Sequence, residues 1–346
     1  MFGMCSRGGR VGLHSLSATV LAAALLAPAS AVVLAEDANG PLIVYSGRSE
    51  SLAGPVLEQF TAATGIAVET KYADSAELAA ILLEEGGRSP ADVFFAQDAG
   101  ALGAVKAAGL LGPLDEAVLD RVEPRFRDAD GLWTGISGRA RTVVYAVDED
   151  IQLPDSILGF VDPEWAGRIG WAPTNGSFQA FVTALRQLQG EEGARAWLEG
   201  IIANDPVAFP SNTTIVEGVA SDEVDVGFVN HYYLLRQLAE KGPDFPVGQV
   251  FFDGGDPGAL VNIAGVGQLA SSDQPVAAAA LIDYLLGEDA QTYFSTTTFE
   301  FPLIEGVPSD ERLPSIDSIE SPDIELSFLA DLPGTVALLR EVGALE

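Results

Sequence analysis

Apolar and polar positions follow one another in the rhythm of an α/β protein. Residues 42–46 form a short apolar run that predicts a strand. Residues 51–64 carry Leu52, Val56 and Phe60 on one stripe, which predicts a helix stopped by Gly65. Residues 66–72 alternate as a second strand, 75–85 predict a helix ending at Gly86-Gly87, and 91–96 predict a buried strand. Asp98 then caps a helix running to Ala108 and Gly109. The order β-α-β-α-β-α predicts a parallel sheet with right-handed crossovers. A further strand is predicted at 142–147. Beyond a connection marked by Pro154, Pro163, Trp165 and Trp171, a second α/β set begins. It has helices at 177–188, 191–203 and 213–220, a strand at 224–229, and a helix straight after it. Asp256 to Leu260 reads as a turn into a strand at 262–269. Helices at 275–286 and 289–296 follow, and an acidic tail ends in a helix near 333–342.

Residues 1–35 break this rhythm. Arg7 and Arg10 precede a short apolar stretch, and Ala29-Ser30-Ala31 fits a small-residue cleavage site, with Val33-Leu34-Ala35 as an alternative. The pattern predicts a signal peptide over 1–35, so the folded part is expected to be periplasmic or secreted. No segment is long and apolar enough to cross a bilayer. The single cysteine, Cys5, lies in this leader and away from the cleavage site. A lipid anchor is therefore not expected, and the core must hold without disulfides. About 310 residues remain, enough for two lobes with their own cores.

Charge narrows the partners. All 50 acids follow Ala35 and face 16 lysines and arginines, a balance of −34, and Lys71, Lys106 and Lys241 are the only lysines. Such a surface disfavours nucleic acid and anionic membranes and attracts cations. The acids are scattered without metal-ligand spacing, which favours solubility, including in a salty medium, over a dedicated acidic site.

Most catalytic chemistry is excluded by missing parts. There is no G-x-S-x-G, no P-loop and no H-E-x-x-H. After the leader the one histidine is His231, expected as a polar residue at a helix start, and no enzyme is predicted. Oxygen donors at strand ends remain. Asn230-His231-Tyr232-Tyr233 sets two of seven tyrosines side by side at a strand-to-helix turn, where ligands bind in open α/β sheets. A phenol titrates near ~10 and serves as a ligand only to a strongly Lewis-acidic cation. Fe3+ is the hard, small and biologically common choice. The dipeptide also reads as two amphipathic side chains, one in the core and one capping the helix. Tyr145 lies in the strand at 142–147, and Tyr45 ends the first strand ahead of Ser46, Gly47 and Arg48. Asn175-Gly176-Ser177 and Asn230 open helices whose N–H groups suit an anion. A surface salt bridge at Arg48 and simple capping by Asn175 and Ser177 are the competing readings.

Several of these segments occur in one order along the chain: Tyr45-Ser46-Gly47-Arg48, Thr64-Gly65-Ile66, Ser89-Pro90-Ala91-Asp92-Val93-Phe94, Ser137-Gly138-Arg139-Ala140-Arg141 before Val144-Tyr145, Asn230-His231-Tyr232-Tyr233, and Asp256-Pro257-Gly258-Ala259-Leu260. Together they resemble the bacterial ferric-iron-binding proteins, the periplasmic solute-binding components of iron(III) ABC importers, in their three-tyrosine variant. The resemblance implies a two-lobed α/β periplasmic-binding-protein fold of type II with the ligand cleft between the lobes. It implies an N-lobe at 36–138, with about 258–312 returning to it, and a C-lobe at 139–257, with about 313–346 returning to it. It also implies Fe3+ as the transported ligand, held by Tyr145, Tyr232 and Tyr233, and a synergistic carbonate or phosphate at Arg48, Ser177, Asn212 and Asn230. The implied partner is an ABC transporter permease, with the protein a monomer and no nucleic acid involved. Ser49 stands where many members have histidine and Gln97 where some have glutamate. Neither is a good Fe3+ ligand, which favours three phenolates, whose charge neutralises a trivalent ion. Whether His231, Ser49, Glu50 or Gln97 reaches the metal stays open. The alternative is a solute-binding protein of the same fold for an organic cation or other small molecule, with the tyrosines as an aromatic cage.

Overall fold

The computed structural model describes residues 40–147 and 151–345; the predicted signal peptide lies outside them. The first elements follow the hydrophobic pattern: β1 (Leu42–Ser46), α1 (Glu50–Thr64), β2 (Val68–Tyr72), α2 (Ser75–Glu85), β3 (Val93–Ala96) and α3 (Ala99–Ala107). Their ends have local causes. Gly65 closes α1 at φ 77°, a left-handed conformation open to glycine. Asp98 caps α3 by accepting the Ala101 N–H.

After the short α4 (Glu116–Leu119) comes β4 (Thr134–Ala146), buried along nearly its whole length. Only its second half is predicted from the pattern, because Gly135, Gly138, Arg139 and Arg141 break the apolar run. The chain continues through β5 (Ile169–Trp171), α5 (Gly176–Ala203), β6 (Val207–Ala208), α6 (Asn212–Ala220), β7 (Val226–Asn230), α7 (Tyr232–Lys241), β8 (Val247–Val250) and β9 (Val261–Gln268). Then come α8 (Pro275–Leu285), α9 (Glu288–Thr296), β10 (Phe301–Pro302) and α10 (Leu332–Glu341). The two helices predicted at 177–188 and 191–203 are the two arms of α5, kinked at Gly190, where φ is 73°.

The strand order is β2-β1-β3-β9-β4-β7-β5-β6, with β8 and β10 also on β4. The β1, β2 and β3 strands are parallel, as predicted. A strand from late in the chain, β9, enters antiparallel between β3 and β4. The decisive element is β4. Its Thr134–Ala140 stretch pairs with β9, and Arg141 to Tyr145 pairs with β7, so the strand changes neighbours between Ala140 and Arg141. Asn230, the last residue of β7, faces Arg141 at that switch. The start of α7 is thereby set beside it.

The late chain ties distant elements together. The 3-10 turn Leu326–Ala330 packs on α3 so closely that a Cβ on Gly100 would come 2.3 Å from the Leu329 carbonyl oxygen. The α10 helix packs on α5, where the Thr183 and Thr335 hydroxyls lie 2.7 Å apart. No helix among the described residues is long and apolar enough to cross a membrane.

The excess of acids predicts a salt response. Self-repulsion of like charges opposes compaction, and the screening length falls from about 30 Å at 0.01 M to about 3 Å at 1 M salt. The melting temperature is expected to rise over that range. A steady fall would mean that exposed pairs such as Arg195–Glu341 and Arg125–Asp317 outweigh the repulsion.

Candidate metal centre

The first turn of α7 carries the pair. Tyr232 is fully buried and Tyr233 half-buried, and their rings stack with centroids 4.3 Å apart and planes 30° from parallel. Neighbours on a regular helix point about 100° apart and do not face each other; here the stacking occurs where strand becomes helix. Tyr233 faces a cleft of about 780 Å³. Arg48, Glu50 and Gln97 line it from the β1 and β3 ends, and Asn175 and Ser177 from the start of α5. Leu329 and Leu332 close part of the wall.

Polar contacts converge on the two phenols. Gln97 donates from Nε2 to the Tyr232 hydroxyl at 3.4 Å and accepts from Arg48 Nη1 at 3.4 Å. Arg48 is fully buried, and its Nη2 lies 2.5 Å from Glu300 Oε1, with both side chains out of solvent. Ser137 donates to the other Glu300 oxygen. At the α5 side, Asn175 Oδ1 accepts from the Ser177 N–H at 3.0 Å, from the Ser177 hydroxyl at 2.6 Å and from Asn212 Nδ2 at 3.2 Å. Asn212 is buried, and its own Oδ1 has no partner.

Two more guanidiniums complete the corner. Arg139 and Arg141 are both buried, and each leaves Nε and Nη1 without a partner. Arg139 donates to the Gln97 and Ile263 carbonyls, and Arg141 to the Phe228 carbonyl at 2.9 Å. The Arg141 guanidinium lies 5.6 Å and 5.3 Å from the Phe178 and Phe181 ring centres. Burial pushes its pKa down to about 9, partly offset by the two phenol oxygens. Burial raises the Tyr233 pKa above the ordinary phenol value, and the Tyr232 oxygen adds to this, while Arg139 and Asn212 pull it down. Two phenols beside guanidiniums whose Nε and Nη1 lack partners make a place for incoming negative charge.

The structure sorts the candidate residues. Tyr232, Tyr233, Arg48, Ser177 and Asn212 come together, and Asn230 precedes the pair at the end of β7. Tyr145 does not join them. It pairs with Val226 at the opposite end of β7, about 13 Å along the strand from Asn230. Its ring lies over Gly248 of β8, on the other side of β4. Strand alternation gives the face of a residue but not its end of the sheet, so the third-tyrosine expectation fails on register. Arg48 is not a surface ion pair: Glu300 engages one arm of its guanidinium out of solvent, while the residue also lines the cleft.

His231 is buried and reaches only main chain. Its Nδ1 accepts from the Ala140 N–H at 3.1 Å, and its Nε2 lies 2.8 Å from the Phe299 carbonyl oxygen. Burial pushes its pKa down to about 4, so the imidazole stays neutral. Among the described residues no three His, Cys, Asp or Glu side chains group to hold a metal.

Comparison with known proteins follows the same line. The bacterial extracellular solute-binding protein family matches residues 88–324. The Fe(3+)-binding periplasmic protein of Serratia marcescens is 35% identical over 90% of this chain and 93% of its own. The major ferric iron-binding protein of Neisseria meningitidis is 33% identical over 91% and 96%. The crystal structure of iron-bound HitA from Pseudomonas aeruginosa superposes with a TM-score of 0.83 and 33% identity, covering 88% of this chain and 99% of that one. The chain belongs to the periplasmic ferric-iron-binding protein family. These proteins have the two-lobed type II α/β fold, and the sheet described above is this chain's version of it. Among the candidate site residues, Arg139, Arg141 and Glu300 are the ones that sequence reading missed. The two arginines stand in the segment Ser137–Arg141, which gave a signal of likeness but none of function. Glu300 is one acid among 50 and gave no signal.

Proposed function

We propose that this chain is an extracytoplasmic, monomeric Fe3+-binding protein that hands iron to the permease of an ABC transporter and performs no catalysis. Tyr232 and Tyr233 supply phenolate oxygens to the ion. A carbonate or phosphate completes the shell against Asn175, Ser177 and Asn212 at the start of α5. The observation that carries this reading is the stacked phenol pair, with Tyr233 lining a cleft and Tyr232 behind it, backed by buried guanidiniums. A trivalent ion with two phenolates is still cationic, and Arg139 and Arg141 stand close by. A dianion offsets that charge, and the positive end of the α5 dipole suits it. With Tyr145 remote, the anion carries more of the shell than three phenolates would require. We take the lobes as 36–138 with about 258–312, and 139–257 with about 313–346, meeting where β4 changes neighbours.

The alternative cargo, an organic cation in an aromatic cage, finds little support. Cation–π binding needs open ring faces, but Tyr232 is buried and Tyr233 covers it.

Fe3+ added with bicarbonate or phosphate should give a visible tyrosinate band and raise the melting temperature by mass action, about 2.7 kcal/mol of stabilisation at 100 times Kd. Phenolate and carbonate both take up protons, so the bound form is favoured at higher pH and iron is released as pH falls. Titrating the loaded protein from neutral to acid, with and without the anion, checks this. A quaternary amine that raises the melting temperature while Fe3+ gives no colour would overturn the reading.

A further inference from the structure

The residue between β7 and α7 is tied to main chain from two distant parts of the sequence. His231 donates its own N–H to the Ala140 carbonyl at 3.1 Å. Its Nδ1 accepts the Ala140 N–H at 3.1 Å, which leaves the proton on Nε2 for the Phe299 carbonyl at 2.8 Å. The two partners lie 91 residues before it and 68 after it in the chain. A space-filling core residue would need none of these bonds, since the surrounding rings, Phe301 at 4.6 Å and Phe251 at 6.3 Å, could pack on any aromatic.

Two further observations give the ties a purpose. The α7 helix starts without a side-chain cap, as α1, α2, α8 and α9 also do. Its first turn, which carries both tyrosines, is anchored by the imidazole instead. On the other side, Phe299 holds φ 58°, a left-handed conformation rare for an aromatic residue. Its side chain packs on Tyr232, and the next residue, Glu300, holds Arg48 and Ser137. Arg48 in turn touches Gln97, which donates to the Tyr232 oxygen. Tyr232 is thus held at its root through His231 and at its tip through Gln97, and both lines meet in the turn at 299–300.

We propose that His231 is a positioning residue for the ligand pair: its imidazole ties the first turn of α7 to the point where β4 changes neighbours and to the Phe299 carbonyl, and so fixes where the Tyr232 oxygen stands. This rests on the reading of Tyr232 and Tyr233 as the ligands of Fe3+.

The test compares His231→Phe, which keeps a ring and loses both side-chain bonds, with His231→Gln, which carries one acceptor and one donor on a single planar group. The first readout needs no metal. With ring-labelled tyrosine, NMR signals of Tyr232 and Tyr233 should move in His231→Phe, while those of Tyr45 and Tyr284 stay. The second readout is iron: Fe3+ affinity should fall roughly 10–100-fold, the range for lost outer-shell support, and the visible band should shift. His231→Gln should return both readouts towards the parent. If His231→Phe does not fold, His231→Asn, whose shorter side chain cannot bridge both partners, takes its place and should bind Fe3+ more weakly than His231→Gln. Unmoved Tyr232 and Tyr233 signals with parental affinity would overturn the inference and leave the iron reading intact. A parent that gives no tyrosinate band would overturn the iron reading, while the metal-free signals would still decide whether His231 places the pair.

Discussion

Phenylalanine at both 232 and 233 should remove the visible iron band and lower Fe3+ affinity by more than the roughly 100-fold that loss of an outer partner costs. The substitution deletes two oxygens and keeps both rings, so the 4.3 Å stack and the packing of Tyr232 on Phe299 and Leu235 persist. The bonds lost within the protein are few: one of 3.4 Å from Gln97 to Tyr232, one between Asn212 and Tyr233, and one between the two phenols. Each is worth about 1 kcal/mol, so the metal-free melting temperature should move by a few degrees at most. The combination is diagnostic, since a structural pair would lose stability and not colour. Isothermal titration against an iron chelate, with thermal melts of the same samples, checks it. A double variant that colours like the parent would remove the phenols from the site.

The other large effect is on stability, at the Arg48–Glu300 pair. Both charges are out of solvent and 2.5 Å apart. Glu300→Gln leaves a buried guanidinium unpaired, and Arg48→Ala leaves a buried carboxylate held by Ser137 alone. Breaking such a pair from one side costs about 3–5 kcal/mol, a large part of the ~5–15 kcal/mol that holds a typical fold. Removing both charges together should cost less than the sum of the single changes, and a urea-melt double-mutant cycle measures the difference. An exposed pair would give ~0–1 kcal/mol instead. Iron release from Arg48→Lys, with and without bicarbonate, separates this from direct anion binding. Lost stability with unchanged bicarbonate dependence supports the pair. Lost bicarbonate dependence at full stability would return Arg48 to the anion.

What the sequence made legible was local. The elements from β1 to α3 follow from apolar spacing, Gly65 and the Asp98 cap, and the parallel pairing of the first three strands follows from their order. The entry of β9 between β3 and β4 depends on residues 261–268, far along the chain, and no window shows it. The first half of β4 was hidden by its glycines. Gly138 is small for a reason that lies elsewhere: a Cβ there would meet Ile316 at 2.9 Å and Phe301 at 3.1 Å. The tyrosine pair stood out because adjacency is visible in one dimension. Tyr145 misled because a strand position tells the face but not the distance along the sheet. Glu300 lies 252 residues from Arg48, and a carboxylate in so acidic a chain carries no address.

The contact between Gly100 and Leu329 bears on biosynthesis. Leu329 and Leu332 form part of the cleft wall, yet they come far later in the chain than α3, on which their segment packs. The cleft stays unfinished until that segment has docked on α3. A chain interrupted before residue 326 would keep its tyrosines and every strand described above and still lack one side of its cleft.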